Sequence, residues 1–136
     1  MRANDFITED LKTIEIEISG SSISGYVVFT SSEQIVNWLD KYNYNQKWAN
    51  YIRQYDKIAF LNNLWVDEDA RGEGIGSDLL DSFIDEASNK GAQAIFLSSD
   101  SGEIQIDSFN LVKWYETWDF EVLDNTSSDP LMYLEL

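Results

Sequence analysis

The chain has 136 residues and a formal net charge of −16, from nine Lys plus Arg against 25 Asp plus Glu. This length suits a single domain spanning residues 1–136, and 43 % hydrophobic residues, including seven Phe, seven Tyr and five Trp, can fill its core. The charge argues against nucleic acid and anionic membranes as partners, and the absence of Cys and His excludes thiol chemistry and the commonest metal ligands, so we expect no metal site.

Two strands joined by a turn are predicted near the start of the chain. Residues 13–18 (TIEIEI) alternate apolar with polar side chains, as in a strand with one solvated face. Residues 20–22 (GSS) predict the turn, and the β-branched and aromatic residues 26–30 predict the second strand. Residues 31–55 have a helical pattern rich in Trp and Tyr, which begins with a capping box at Ser31 and Gln34 and is interrupted at 43–45.

The second half of the chain alternates strands and helices. Residues 58–66 and 94–98 predict two buried strands, and between them apolar residues recur at helical spacing until Gly91 ends the helix. A further helix is predicted from 107 or 108 to 118, followed by short strands at 121–123 and 131–136. The strand–helix–strand order predicts a parallel pair, whereas the hairpins predict antiparallel edges. The expected fold class is therefore α/β, with a mixed, mostly antiparallel sheet flanked by helices.

The acidic charge is concentrated in this second half. Residues 58–136 carry three basic and 17 acidic groups, a net charge of 3 − 17 = −14. Residues 31–57, in contrast, carry four basic and three acidic groups, a net charge of 4 − 3 = +1. An acidic surface favours a cationic partner, although a high net charge also serves solubility alone. The sequence contains no apolar run typical of a signal peptide or a membrane span, so we expect a cytoplasmic protein.

The turn after the 58–66 strand carries the clearest chemical signal. Residues 71–76 (RGEGIG) join this strand directly to the amphipathic helix, and their alternate glycines leave backbone amides uncovered. A helix N-terminus adds free N–H groups and the positive end of the helix dipole, so the segment can bind phosphate. A plain tight turn is the alternative. The dinucleotide-binding fingerprint, G-x-G-x-x-G, fits this spacing poorly.

The residues around this turn resemble the GNAT family of N-acetyltransferases. Leu64-Trp65-Val66, with the 71–76 segment five residues further on, is similar to that family's acyl-CoA-binding motif. Residues 114–120 (WYETWDF) are similar to its Leu-Tyr-Glu-x-x-Gly-Phe segment, with Asp119 at the glycine position. Both segments occur in the family's order with a strand between them, and the resemblance extends over about residues 58–123.

The resemblance implies the GNAT fold, in which the central parallel strands splay, and an acetyl-CoA-dependent N-acetyltransferase activity. Backbone groups near Leu64 and Val66 would pair with the pantetheine arm of acetyl-CoA, and the amides of the glycine turn would hold its pyrophosphate. Tyr115 would protonate the departing thiolate after direct attack by an amine in a ternary complex, and a phenol with a pKa of about 10 suits this task. If the resemblance is left aside, the sequence predicts that Tyr115 is an ordinary aromatic residue of the core. The implied cofactor-binding residues are Leu64, Trp65, Val66, Arg71, Gly72, Glu73, Gly74, Ile75, Gly76 and Ser77.

Acceptor recognition is less closely defined by the sequence. Asn62 and Asn63 can orient an acceptor or a water, or one of them simply faces solvent at a sheet edge. Trp38 can meet an ammonium by cation–π contact, or it packs a helix face on the sheet. No general base is evident, and the nearest carboxylate candidates are Asp100, just past the second buried strand, and Glu33. The expected acceptor is a small-molecule amine or a basic peptide, and a homodimer is compatible with the sequence. Two alternatives stay open: a catalytically inactive module of the same fold that binds CoA or a protein, and an acidic decoy that mimics nucleic acid.

Overall fold

The structure of the protein is a computed structural model, which describes residues 11–31, 46–67, 69, 72–98, 111–124 and 131–136. In chain order the elements within these ranges are β1 (Leu11–Ile18), β2 (Ser21–Phe29), α1 (Gln46–Ile52), β3 (Lys57–Trp65), α2 (Ile75–Asn89), β4 (Ala94–Ser98), α3 (Leu111–Glu116), β5 (Glu121–Asp124) and β6 (Leu131–Glu135). None of these helices is long and apolar enough to cross a membrane.

The six strands form one mixed sheet in the order β1-β2-β3-β4-β6-β5. The central pair, β3 and β4, is parallel, and every other neighbouring pair is antiparallel. Helix α2 lies between β3 and β4 in the chain, so it supplies the crossover that a parallel pair needs. The mixed sheet with a central parallel pair and flanking helices confirms the predicted fold class.

The first hairpin corrects one expectation. The turn is Ser19 and Gly20, both with positive φ (50° and 81°), and β2 begins at once with Ser21, not at residue 26. Two positive φ values give the turn twist that suits a tight hairpin. The serine-rich start of β2 was assigned to the turn because serine favours turns. In the folded chain it pairs with β1 and β3, and the fully buried Ser21 hydroxyl accepts a hydrogen bond from the Asp67 N–H at 2.8 Å.

The sheet separates two apolar cores. The core on the α2 side includes Ile14, Ile23, Val27, Ala59, Leu61, Leu79, Leu80, Phe83, Ile95 and Leu97. The opposite core, which α1 covers in part, includes Val28, Ile52, Ile58, Phe60, Phe96 and Leu131, with Tyr51, Tyr55 and Tyr133 packed against it. Because β3 and β4 contribute to both cores, they are apolar on both faces, which explains the unbroken apolar runs in their sequences.

Gly25 lets α2 approach the sheet closely. A Cβ at this position would lie 2.8 Å from Cζ of Phe83 and would collide with the carbonyl oxygen of Phe60. Phe83 is fully buried near the middle of α2. The absent side chain of Gly25 therefore sets the distance between α2 and the strands that pass beneath it.

The long aromatic helical segment is described only in part. Within the predicted 31–55 region, α1 accounts for Gln46–Ile52, and residues 32–45, which include Trp38, lie outside the described residues. The predicted helix before residue 118 is described from Leu111 onward, while Asp100 also falls outside the described ranges.

Candidate active site

The parallel strands β3 and β4 pair only over a short stretch. Residues 59–61 of β3 pair with residues 95–97 of β4, yet β3 continues to Trp65. The described part of β4 ends at Ser98, so β3 extends beyond its last parallel pair, Leu61 with Leu97, while it pairs with β2 as far as Trp65. This is the stretch at which the resemblance to the GNAT family predicts that the parallel strands splay. Splaying here would open a gap beside β3, whose backbone could bind an extended, amide-containing ligand.

A bulge at Asn62 marks the start of the stretch of β3 beyond its last parallel pair. Gly25 pairs with Leu61 and Ser24 pairs with Asn63, so Asn62 is the extra residue on β3. One extra residue exchanges the faces of the residues that follow. Leu64 therefore pairs with Ile23 and packs against the α2-side core, whereas Asn63 and Trp65 lie on the opposite face.

The glycine turn lies between the end of β3 and α2. Gly72 and Gly74 have φ of 85° and 81°, and nothing lies within 4 Å of the position where a Cβ would stand on either. Gly74 is the N-cap residue of α2 and offers no side-chain cap, and the first helical bond runs from the Asp78 N–H to its carbonyl at 3.0 Å. The amides of the first turn are thus left for an anion, which the positive end of a 15-residue helix also favours.

The acidic residues near this turn do not all face it. The Asp67 carboxylate lies against the β1–β2 turn, with Oδ2 3.1 Å from the position of a Cβ on Gly20. Its backbone N–H is fixed by Ser21, so the segment entering the turn has a defined direction. Asp69, Glu73 and Asp78 are exposed to solvent, where screening weakens their repulsion of an anion. Arg71, predicted to contact the pyrophosphate, lies outside the described residues.

The third glycine of the turn has a packing role. A Cβ on Gly76 would stand 3.4 Å from Cγ2 of Val66 and 3.8 Å from Cζ2 of Trp114. The first turn of α2 therefore rests between the end of β3 and the indole of α3. The sequence alone assigns Trp114 no role of its own, although its position directly before Tyr115 is a signal that the two residues share a helix.

Tyr115 is buried, with 3 % of its surface exposed. Its ring packs edge-on against Trp114 and Phe120, at centroid distances of 5.1 and 5.4 Å. Burial raises the pKa of its phenol well above the ordinary value of 10.0 because the phenolate would lose its hydration. The hydroxyl therefore keeps its proton at neutral pH. Both the catalytic role and the core-aromatic alternative are compatible with this environment.

The end of α3 holds Tyr115 through a Schellman motif. The Phe120 N–H bonds to the Tyr115 carbonyl at 3.2 Å, and the Asp119 N–H bonds to the Glu116 carbonyl at 3.0 Å. Asp119 takes the left-handed position with φ of 70°, where glycine is the usual residue. An aspartate thus occupies the left-handed position of this turn, at the place where the Leu-Tyr-Glu-x-x-Gly-Phe pattern has glycine.

The remaining predicted site residues lie in two places, near the end of β3 and in the first turn of α2. Asn62, Asn63 and Trp65 are exposed near the end of β3, Trp65 with 44 % of its surface accessible. Ser77 is half-buried in the first turn of α2, and Ile75 is buried there with 9 % exposed. Sequence reasoning missed the bulge, although two adjacent asparagines in an apolar strand were a signal for it. No group of three or more carboxylates in the described ranges is arranged to hold a metal ion.

The six-stranded mixed sheet, with its parallel pair and flanking helices, defines the class of fold found in GNAT enzymes. The family model for the acetyltransferase (GNAT) family matches residues 12–120, and the chain belongs to this family.

Solved structures with the same fold resemble the chain over most of its length. The anti-CRISPR protein AcrVA5 is 22 % identical with a TM-score of 0.55, over 92 % of this chain and 100 % of that protein. PaiA N-acetyltransferase from Thermoplasma acidophilum, solved with coenzyme A, is 15 % identical with a TM-score of 0.53, over 93 % of this chain and 62 % of that protein. Polyamine N-acetyltransferase from Drosophila melanogaster is 11 % identical with a TM-score of 0.59, over 100 % of this chain and 82 % of that protein.

Proposed function

We propose that this protein is an acetyl-CoA-dependent N-acetyltransferase that transfers the acetyl group directly to an amine in a ternary complex. The observation that carries this proposal is the open glycine turn, which follows the end of β3 and begins α2. The turn offers helix amides to a pyrophosphate, and the gap that the family's splayed strands imply beside β3 would offer strand backbone to an extended amide chain. Pantetheine and pyrophosphate are joined in CoA, so two adjacent features fit two adjacent parts of one molecule.

The fit of the cofactor rests on described residues. Leu64 offers backbone near the end of β3, and the amides of Ile75, Gly76 and Ser77 form the first turn of α2, which has no side-chain cap from Gly74. A Cβ at Gly72 or Gly74 would have open space, but their positive φ disfavours any side chain. When bound, acetyl-CoA supplies an acetyl group activated as a thioester.

Tyr115 is the proposed proton donor. Burial keeps its phenol protonated, and α3 holds it in the core beside the helix turn that would bind the pyrophosphate. In the proposed reaction the amine nitrogen forms a bond to the acetyl carbon, and the bond from that carbon to sulfur breaks. Starting from an ammonium, the nitrogen loses two protons. One leaves to solvent, and the other replaces the proton that Tyr115 gives to sulfur.

The acceptor is proposed to approach on the face of the sheet opposite α2. Asn63 and Trp65 are exposed there, and the register continues from them through Ser24 and Ser22 to two exposed carboxylates, Glu15 and Glu17. Glu15 and Glu17 lie on β1, which is two strand spacings, or about 10 Å, from β3. Carboxylates and an exposed indole attract cations, which supports a small-molecule amine or a basic peptide as the acceptor.

The first test is CoA binding, followed by free-thiol release from acetyl-CoA with a panel of diamines, polyamines and lysine peptides. We expect Tyr115→Phe to lower kcat by about 10²-fold, because it removes the proton donor and leaves the ring in place. Its affinity for CoA should stay within about twofold, because the substitution removes one hydroxyl and leaves the backbone that would bind CoA unchanged.

The matched control is Tyr55→Phe, a half-buried tyrosine on the opposite core, which should retain turnover. Full turnover by Tyr115→Phe would remove Tyr115 from the mechanism. Absence of both CoA binding at millimolar ligand and thiol release by the wild-type protein would refute the function itself.

A further inference from the structure

Trp114 lies between the two parts of the proposed active site. Its Cζ2 atom is 3.8 Å from the position of a Cβ on Gly76, so the indole rests on the first turn of α2. Cγ2 of Val66, just after β3, lies 3.4 Å from the same point. One edge of Trp114 therefore lies next to the turn that the proposed function assigns to the pyrophosphate.

The same indole contacts the proposed proton donor. The Trp114 and Tyr115 rings meet edge-on, with centroids 5.1 Å apart and planes at 62°. The Tyr115 ring also packs edge-on against Phe120, with centroids 5.4 Å apart. Trp114 thus lies next to both the glycine turn and the ring of Tyr115.

Helix α3 depends on such packing for its position. Its described part is Leu111–Glu116, and most of the stability of a helix in a protein comes from the packing of its apolar face. Its place relative to α2 is therefore set by side-chain contacts, and among the described residues the indole of Trp114 is the part of α3 that lies next to Gly76. A side chain of ordinary size, such as leucine, would leave a gap there.

We propose that Trp114 is a positioning residue, which fixes the distance between the pyrophosphate-binding turn and the phenol of Tyr115. This inference rests on the proposed function. A ligand anchored at the turn carries its thioester at a fixed distance along the gap, so the proton donor must be held at the matching distance. A displacement of about 1 Å at a reacting group can lower a rate by about 10²-fold. A Trp114 that only fills the core would affect stability without acting through Tyr115.

The test is a double-mutant cycle with Trp114→Leu and Tyr115→Phe. We expect Trp114→Leu to lower kcat by about tenfold or more while KM for acetyl-CoA changes by less than about threefold, and Trp114→Phe to restore most of kcat. In the Tyr115→Phe background, Trp114→Leu should lower kcat by less than about twofold further, because the donor it positions is gone.

The matched control is Trp118→Leu. Trp118 is half-buried against the same core, with its ring 6.3 Å from that of Trp114, and has no recorded contact with Gly76 among the described residues. We expect it to retain kcat. Losses of kcat that multiply in the double variant, or equal losses in Trp118→Leu, would overturn the positioning role. Circular dichroism and thermal melting confirm that each variant is folded.

Hydrogen exchange with CoA alone separates this inference from the proposed function. In the wild-type protein CoA should slow exchange of the α3 amides and of the Phe120 N–H, and in Trp114→Leu it should slow exchange at the glycine turn only. CoA binding that leaves α3 exchange unchanged in the wild type would overturn the inference and leave the function standing. A wild-type protein that neither binds CoA nor releases thiol would refute both.

Discussion

Gly25 allows the most direct test of how the sheet and α2 fit together. Replacing it by alanine adds one methyl group 2.8 Å from Cζ and 2.9 Å from Cε2 of Phe83, and in collision with the Phe60 carbonyl. The phenyl ring belongs to a buried side chain in the middle of α2, and the carbonyl belongs to the neighbouring strand. Relief of these two close contacts therefore requires a shift of α2 or of β3 as a whole.

Overpacking of a dense core costs about 1–3 kcal/mol when side chains can adjust, and a backbone collision puts this site at the upper end. We therefore expect Gly25→Ala to lower the free energy of unfolding by about 3 kcal/mol, and the melting temperature by roughly 10 °C for a chain of this length. Urea denaturation followed by tryptophan fluorescence measures the first value, and calorimetry measures the second.

Gly76→Ala is the matched control for Gly25→Ala. Its Cβ would meet only Val66 and Trp114, at 3.4 and 3.8 Å, which are ordinary contacts. Alanine is favoured over glycine within a helix by about 0.5–1 kcal/mol, so this variant should be as stable as the wild type or more so. A loss below about 1 kcal/mol in Gly25→Ala, or similar losses in both variants, would refute the close-approach argument.

Three further predictions concern stability. Asp119→Gly should raise the free energy of unfolding by about 1 kcal/mol in urea denaturation, because Asp119 has φ of 70°, and Asp119→Ala should give no such gain. Ser21→Ala should cost about 1–3 kcal/mol because it leaves the Asp67 N–H without its buried acceptor, whereas the half-buried Ser22→Ala should cost less than about 0.5 kcal/mol. Burial and a 2.8 Å hydrogen bond to Glu121 raise the pKa of Tyr133 from 10.0 to about 12. The folded chain therefore retains this proton longer than the unfolded chain, so stability should fall as pH rises from about 10 to 12, and Tyr133→Phe should make that fall shallower.

The central part of the fold was predictable from the sequence because its signals are local. The apolar runs at β3 and β4, the helical spacing of α2 and the left-handed Gly91 each depend on neighbouring residues, and Gly91 has φ of 91° as its place after α2 requires. The start of β2 was not predictable in this way. Ser21 and Gly25 favour turns by themselves, and they become strand residues through a hydrogen bond and a close approach to parts of the chain distant in sequence.

In the candidate site too, the features that depend on neighbouring residues were predictable and those that depend on distant residues were not. The glycine turn was predictable because positive φ at Gly72 and Gly74 follows from the residue type. The bulge at Asn62 and the contact of Trp114 with Gly76 were not, because each depends on which residue of a distant element lies opposite. The burial of Tyr115 was expected under either interpretation of it, so its environment leaves the choice between proton donor and core aromatic to kinetics.

The extra residue at Asn62 decides how this strand responds to a change in its length. Without Asn62, Leu61 would be followed by Asn63 in simple alternation, so Leu64 would still face the α2-side core, and Asn63 and Trp65 would still face away from it. A residue added after Asn63 would instead turn Leu64 away from that core and point Trp65 into it. The strand can therefore lose one residue at the bulge without exchanging its faces, whereas at an ordinary strand position the loss of one residue exchanges the faces of all the residues that follow.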